Sequence, residues 1–169
     1  IFGQFYTRIP LHNAANIAQA NALTNDWIRV FDDDENSGDV NEKFTRLDVK
    51  NLTFIFGNPP FIGKSTMNPD QKQDLMGVLG DKIKNWKSLD FVSGWYAKAL
   101  ELMHQNHGIR AALVSTNSIC QGEQAISLWP FMFNNGAIIN FAHQTFKWDN
   151  NGAAVFVVIV GFSLEDMAR

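Results

Sequence analysis

Apolar and polar positions along the chain change period several times, and each change marks an element. Leu52-Thr53-Phe54-Ile55-Phe56 is a nearly continuous apolar, β-prone run, as expected of a strand buried on both faces of a sheet. It stops at Gly57-Asn58-Pro59-Pro60. Residues 62–88 are polar, carry Pro69 and Gly80, and read as a long excursion with one short helix. From Asp90 the period becomes helical: Val92, Trp95, Tyr96, Ala99, Leu102 and Met103 fall on one face, and Gly108 stands where a left-handed C-terminal cap belongs. Ile109 to Ser115 predicts the next strand. A helical segment over Gly122 to Asn134 contains Pro130, which predicts a break or kink. Ala137 to Ala142 and Ala153 to Phe162 predict two more strands around the turn residues Asp149-Asn150-Asn151-Gly152. Upstream the pattern is weaker. Ile9-Pro10-Leu11 leads into a short strand ending near Asn21, and Asp32 to Asn41 reads as a solvated loop. The order strand, helix, strand, helix, strand, strand predicts an α/β fold whose sheet is mostly parallel and ends in an antiparallel pair.

Composition narrows the function classes. The chain has 169 residues, 46% of them apolar, enough for one domain with a core of its own. Lys and Arg number 14 against 17 Asp and Glu, a net charge of −3. A chain gripping nucleic acid mainly through phosphates is usually basic, so any DNA grip is expected in other parts of the polypeptide. The one cysteine, Cys120, excludes an internal disulfide and a cysteine-built zinc site, and reads as a buried structural thiol in a reducing compartment. No apolar run approaches the roughly 20 residues of a membrane span, and no signal sequence opens the chain. The first residue is Ile1, not Met, so the chain is expected to be part of a longer protein.

The sharpest chemical feature is Asn58-Pro59-Pro60-Phe61 immediately after a buried strand. The carboxyl end of a strand is where open α/β sheets bind ligands. An exocyclic amine on a base is a poor nucleophile because its lone pair is delocalised into the ring. Two acceptors on its hydrogens, the Asn58 side-chain oxygen and the Pro59 carbonyl, would hold the nitrogen toward tetrahedral geometry and aim the lone pair at an electrophilic methyl. The prolines fix φ near −65° and keep that carbonyl pointing one way. Phe61 offers a flat face for a base drawn out of its duplex.

The tetrad is similar to motif IV of the adenine-specific amino-methyltransferases that use S-adenosyl-L-methionine. The surrounding text resembles one branch of them, the MmeI-like enzymes of restriction–modification systems. The resemblance rests on Phe56 to Lys64, Leu89 to Tyr96, Val114 to Ile119, Gln121 to Gln124 and Phe141 to Trp148, and spans about residues 10 to 162. It implies a class I methyltransferase-like, Rossmann-type sheet. It assigns Asn58, Pro59, Pro60 and Phe61 to catalysis, and Phe146, or next Trp148, to the far wall of the flipped base. The helix from Asp90, with Phe91 and Trp95, resembles motif V, which walls the cofactor's adenine. Ala20-Asn21-Ala22-Leu23 resembles motif III, whose second residue normally holds that adenine through an acid; here the position is Asn21. Asn21, Ala22, Asn58, Phe91 and Trp95 are thus the expected cofactor contacts. No metal is implied.

The glycine-rich motif I and the acidic motif II of the family are absent. In the strand order 3-2-1-4-5-7-6 of such enzymes, the chain would lack the first two strands, leaving the strand near Asn21 without a neighbour. Residues 1–169 are therefore expected to be a partial catalytic domain, inactive alone, with a target-recognition domain downstream and, in some members, a nuclease domain upstream. The implied partner is double-stranded DNA, with no membrane, in the bacterial cytoplasm. Methylation of RNA or of a protein glutamine, and a non-catalytic module keeping the motif, are the alternatives. Gly63-Lys64-Ser65 imitates the end of a phosphate-binding loop, but the required earlier glycine falls at Asn58, and two prolines remove backbone donors.

Overall fold

The computed structural model describes residues 19–31, 44–46, 48–150 and 153–165. Two short strands, β1 (Arg29–Phe31) and β2 (Phe44–Arg46), pair antiparallel as a separate ribbon. The predicted acidic loop lies outside the described residues. Then come β3 (Phe54–Gly57), α1 (Pro69–Leu79), α2 (Ser93–Gln105), β4 (Arg110–Thr116), α3 (Gly122–Asn134), β5 (Ile138–Asn150) and β6 (Ala153–Ser163). The main sheet has the order β3-β4-β6-β5. β3 and β4 are parallel, whereas β6 runs antiparallel to both its neighbours.

The mixed α/β class agrees with the sequence. The sheet is less parallel than predicted: one of its three ladders is parallel, because the reversed strand β6 inserts between β4 and β5. The strand expected to end near Asn21 is also absent over its described part, since residues 19–28 form turns and bends. β3 departs from its apolar pattern too. Phe54 and Phe56 are 64% and 83% exposed, because β3 is an edge strand and the face they share carries no covering helix among the described residues.

The other face of the sheet is well covered. Along β4 the alternation puts Ala111, Leu113 and Ser115 inward, beside Val158, Val160 and Phe162 of β6. Tyr96 of α2 stacks on Phe162 at 5.4 Å, meets Trp129 of α3 edge-on at 5.6 Å, and its hydroxyl bonds with the Ser115 hydroxyl at 2.9 Å. Burial pushes the Tyr96 phenol far above its usual range, so this pair stays neutral. α1 starts from a capping box in which Asn68 accepts from Gln71 N–H and Gln71 returns the bond to Asn68 N–H, with Pro69 in the first turn.

Two helices differ from their sequence signals. α2 is capped by Asn106, not by a left-handed Gly108: Asn106 accepts from Gly108 N–H and donates to the carbonyls of Val49 and Leu52. A side chain that bonds both ways makes the glycine cap unnecessary. α3 runs unbroken past Pro130, which is exposed.

Candidate active site

β3 ends at Gly57, whose partner is Leu113, and the chain leaves the sheet as Asn58-Pro59-Pro60. Pro59 is buried and Asn58 exposed. The following residues are clamped from two sides. Ile62 N–H donates to Pro60 C=O at 3.1 Å, and Ile62 C=O accepts from Phe91 N–H at 2.9 Å. Asp90 then spans the gap: Oδ1 accepts from Lys64 N–H at 2.9 Å and Oδ2 from the Ser118 hydroxyl at 3.0 Å. Ser118 in turn bonds Thr116 at 2.6 Å. One carboxylate thus ties the loop after β3, the entry to α2 and the end of β4 into a single frame.

Beside this frame opens a cleft of about 610 Å³, within the usual range for small-molecule sites. Asn21, Ala22, Asn58, Pro59, Pro60, Phe91 and Trp95 all line it, although they come from three distant parts of the sequence. Phe91 and Trp95 meet edge-to-face at 5.2 Å and form an aromatic wall. Opposite them, the 21–27 turn is fastened rather than loose. Lys98 of α2 donates to the carbonyls of Ala22 and Leu23 at 2.8 and 3.1 Å, and also to that of Asn25. Its ammonium lies 5.3 Å from the centre of the Trp27 ring, whose Nε1–H donates to Ala22 C=O at 2.6 Å. Burial draws the Lys98 pKa below the ordinary lysine value, against Glu101 and Asp26, which raise it. Gly94 allows this closeness: a Cβ there would stand 2.7 Å from Leu23 Cδ2.

Sequence reasoning missed several of the lining residues. Trp27 and Leu113 add apolar wall, while Gln71 and Asp74 project from α1. Their signal was present in the pattern, since residues 71 and 74 border the stripe that buries Leu75, Val78 and Leu79. Flat apolar walls with carboxylate and amide acceptors fit an adenosyl group. No Lys or Arg lines the cleft among the described residues, so nothing there would pair with the carboxylate of a methionine moiety.

Phe61 does not join this cleft. It lines a neighbouring recess of about 210 Å³ with Ile62, Gly63, Asp90, Val92, Thr116 and Ser118. Phe146 and Trp148 lie within β5, their rings 6.2 Å apart, and line neither cavity. The register nevertheless brings them to the same end of the sheet. Thr116, the last residue of β4, pairs with Val157, and Val157 pairs with Phe146. Beyond that row β5 and β6 continue as a two-stranded ribbon that overhangs the end from which Asn58 to Phe61 emerge. Cys120 is exposed, not buried as its type suggested, because it ends the short helical turn Asn117–Cys120 at the surface. Partial desolvation still pushes its thiol above the usual range.

Comparison with known proteins places these features in context. The family model described as "MmeI, DNA-methyltransferase domain" matches residues 1–169. A curated relative, DNA methyltransferase A of Bacillus subtilis (strain 168), is 40% identical over 157 residues, covering 91% of this chain and 16% of its own length. The solved structure of the Type IIL restriction–modification enzyme MmeI in complex with DNA is 46% identical, with a TM-score of 0.77. That match covers 98% of this chain and 20% of the MmeI chain. The chain therefore spans less than a quarter of either relative. No described helix is long and apolar enough to cross a membrane.

Proposed function

Because the chain belongs to the MmeI DNA-methyltransferase domain family, we propose that it is the catalytic part of an adenine-specific DNA methyltransferase within a restriction–modification enzyme. The observation that carries this reading is the convergence of Asn21-Ala22, Asn58-Pro59-Pro60 and Phe91/Trp95 on one cleft at the carboxyl end of β3. The sheet order supports it: β3-β4-β6-β5 corresponds to the 4-5-7-6 end of the class I methyltransferase order. So does the DNA bound in the MmeI structure. The net charge of −3 leaves the main DNA grip to a target-recognition domain elsewhere in the polypeptide.

S-adenosyl-L-methionine, when bound, supplies an electrophilic methyl group. The chain's own residues bind and orient. Phe91, Trp95, Ile55 and Leu113 shield the adenosyl group from water. Asn58 Oδ1 and the Pro59 carbonyl would accept the two hydrogens of the target adenine's amino group and so orient its nitrogen lone pair for transfer. During transfer of a bound donor's methyl, Asn58 and Pro59 would stabilise the positive charge growing on the target nitrogen. One amino proton then leaves to water. The Asp90 frame keeps the tetrad from drifting during this step.

The test is methyl transfer to duplex DNA by the full-length protein, with nucleoside mass spectrometry of the product. N6-methyladenine is expected. Asn58→Ala should lower turnover by at least about 100-fold while cofactor affinity stays within a few-fold. A methylated cytosine, or near-normal turnover of the variant, refutes the proposal.

A further inference from the structure

The second residue of the motif III-like segment is Asn21, and its amide is already engaged at both ends. Asn21 Oδ1 accepts from Leu23 N–H at 3.0 Å, and Asn21 Nδ2 donates to Asp74 Oδ2 at 2.6 Å. The amide is therefore fixed, and it points its donor at a carboxylate on a different element. Asp74 is the one charged side chain lining the cleft among the described residues. It stands on α1 one turn after Gln71, which lines the same wall. An ionised carboxylate accepts about four hydrogen bonds; Asn21 takes one, and Asp74 Oδ1 has no protein partner among the described residues.

The chemistry of the cleft then has a direction. Its walls are flat and apolar, and its charged group is a pure acceptor. Such a site favours a planar heterocycle carrying an exocyclic amine over one carrying a carbonyl in the same place, because a carbonyl facing a carboxylate leaves both oxygens without a proton. We propose that Asp74 is the residue that recognises the exocyclic amino group of the cofactor's adenine, and that Asn21 is a positioning residue holding its carboxylate. The acid expected within the motif III-like segment is supplied by α1. This inference rests on the proposed function, since it takes the cleft to be the adenosyl site.

Isothermal titration of the full-length protein with S-adenosylhomocysteine and S-inosylhomocysteine tests it. The inosyl probe replaces the 6-amino donor by a 6-oxo acceptor and carries a hydrogen on N1, where the adenosyl probe has an acceptor. The unmodified protein should prefer the adenosyl form by about 10- to 100-fold. Asp74→Asn should bring the two affinities within about threefold of each other or invert their order, since an amide donates to a 6-oxo group as well as it accepts from an amine. Asn21→Ala should weaken both probes while keeping most of the preference. An unmodified protein that binds both probes equally overturns the assignment without any variant. So does an Asp74→Asn protein that loses affinity for both in equal proportion, which marks Asp74 as structural. Binding of neither probe by the unmodified protein removes the adenosyl reading of the cleft, and this inference with it.

Discussion

A single carboxylate can decide how well the proposed catalytic tetrad holds its place. Asp90 does not itself line the cleft, yet it bonds Lys64 N–H in the loop after β3 and the Ser118 hydroxyl after β4. Asp90→Ala should therefore cost on the order of 2 kcal/mol of stability, since two charge-assisted bonds are lost. It should also lower turnover about tenfold or more through misplacement of Asn58. Thermal melts and single-turnover methyl transfer measure the two effects, and full activity in a destabilised variant would free Asp90 of any positioning role. The aromatic residues carry a second expectation. If Phe61 and Phe146 hold the extruded base between them, each stack contributes about 1–3 kcal/mol. DNA with 2-aminopurine at the target should then brighten on binding the full-length protein, and each alanine variant should alter the signal. A response to Trp148→Ala but not to Phe146→Ala would move that wall by two residues along β5.

Among the elements, the turn from Asn21 to Trp27 shows where sequence reading stops. The helix bearing Trp95 and the strands β4 and β6 were legible because their residue patterns carry their own periods, and the Asn-Pro-Pro-Phe tetrad because its residue types do. The sequence predicted a strand ending near Asn21 and assigned no structure to the turn that follows, whereas residues 19–28 form turns and bends. The conformation of that turn is set by Lys98, about 75 positions away in sequence and not paired with it by any local pattern. β5 was read as ending near Ala142, yet it continues to Asn150 because β6 supplies partners across two register shifts. Gln144 to Asn150 are polar enough to pass for a loop until that partner is known. The dependence of the turn on α2 can be measured. Lys98→Met keeps most of the aliphatic stem but removes the donor from three carbonyls, and should destabilise the protein by about 2–3 kcal/mol. It should also raise hydrogen exchange at Leu23 to Trp27 more than in β4. Uniform exchange changes would show that the turn is held by something other than Lys98.

At the scale of the whole molecule, the described residues cover the sheet on one side only. α2 and α3 occupy the face of Tyr96 and Phe162, while the opposite face presents one continuous row: Phe56 pairs in line with Ala112, Ala112 with Gly161, and Gly161 with Phe141. Phe141 lies over the bare backbone of Gly161, where any Cβ would stand 2.1 Å from its ring. Layered α/β folds cover both faces of such a sheet, and β3 adds an edge with no partner among the described residues beside this row. For anyone handling the 169-residue chain by itself, this is a matter of colloidal behaviour. An apolar sheet face next to an open strand is a template for stacking and edge addition. The isolated chain should scatter light increasingly with concentration, and Phe56→Lys should suppress that self-association while the melting temperature falls little. In the full-length protein the same substitution should instead cost stability, because there Phe56 is expected to be covered. One position would thus act as a solubility switch in the fragment and as a core residue in the parent, and the sign of its effect reports which of the two is in the tube.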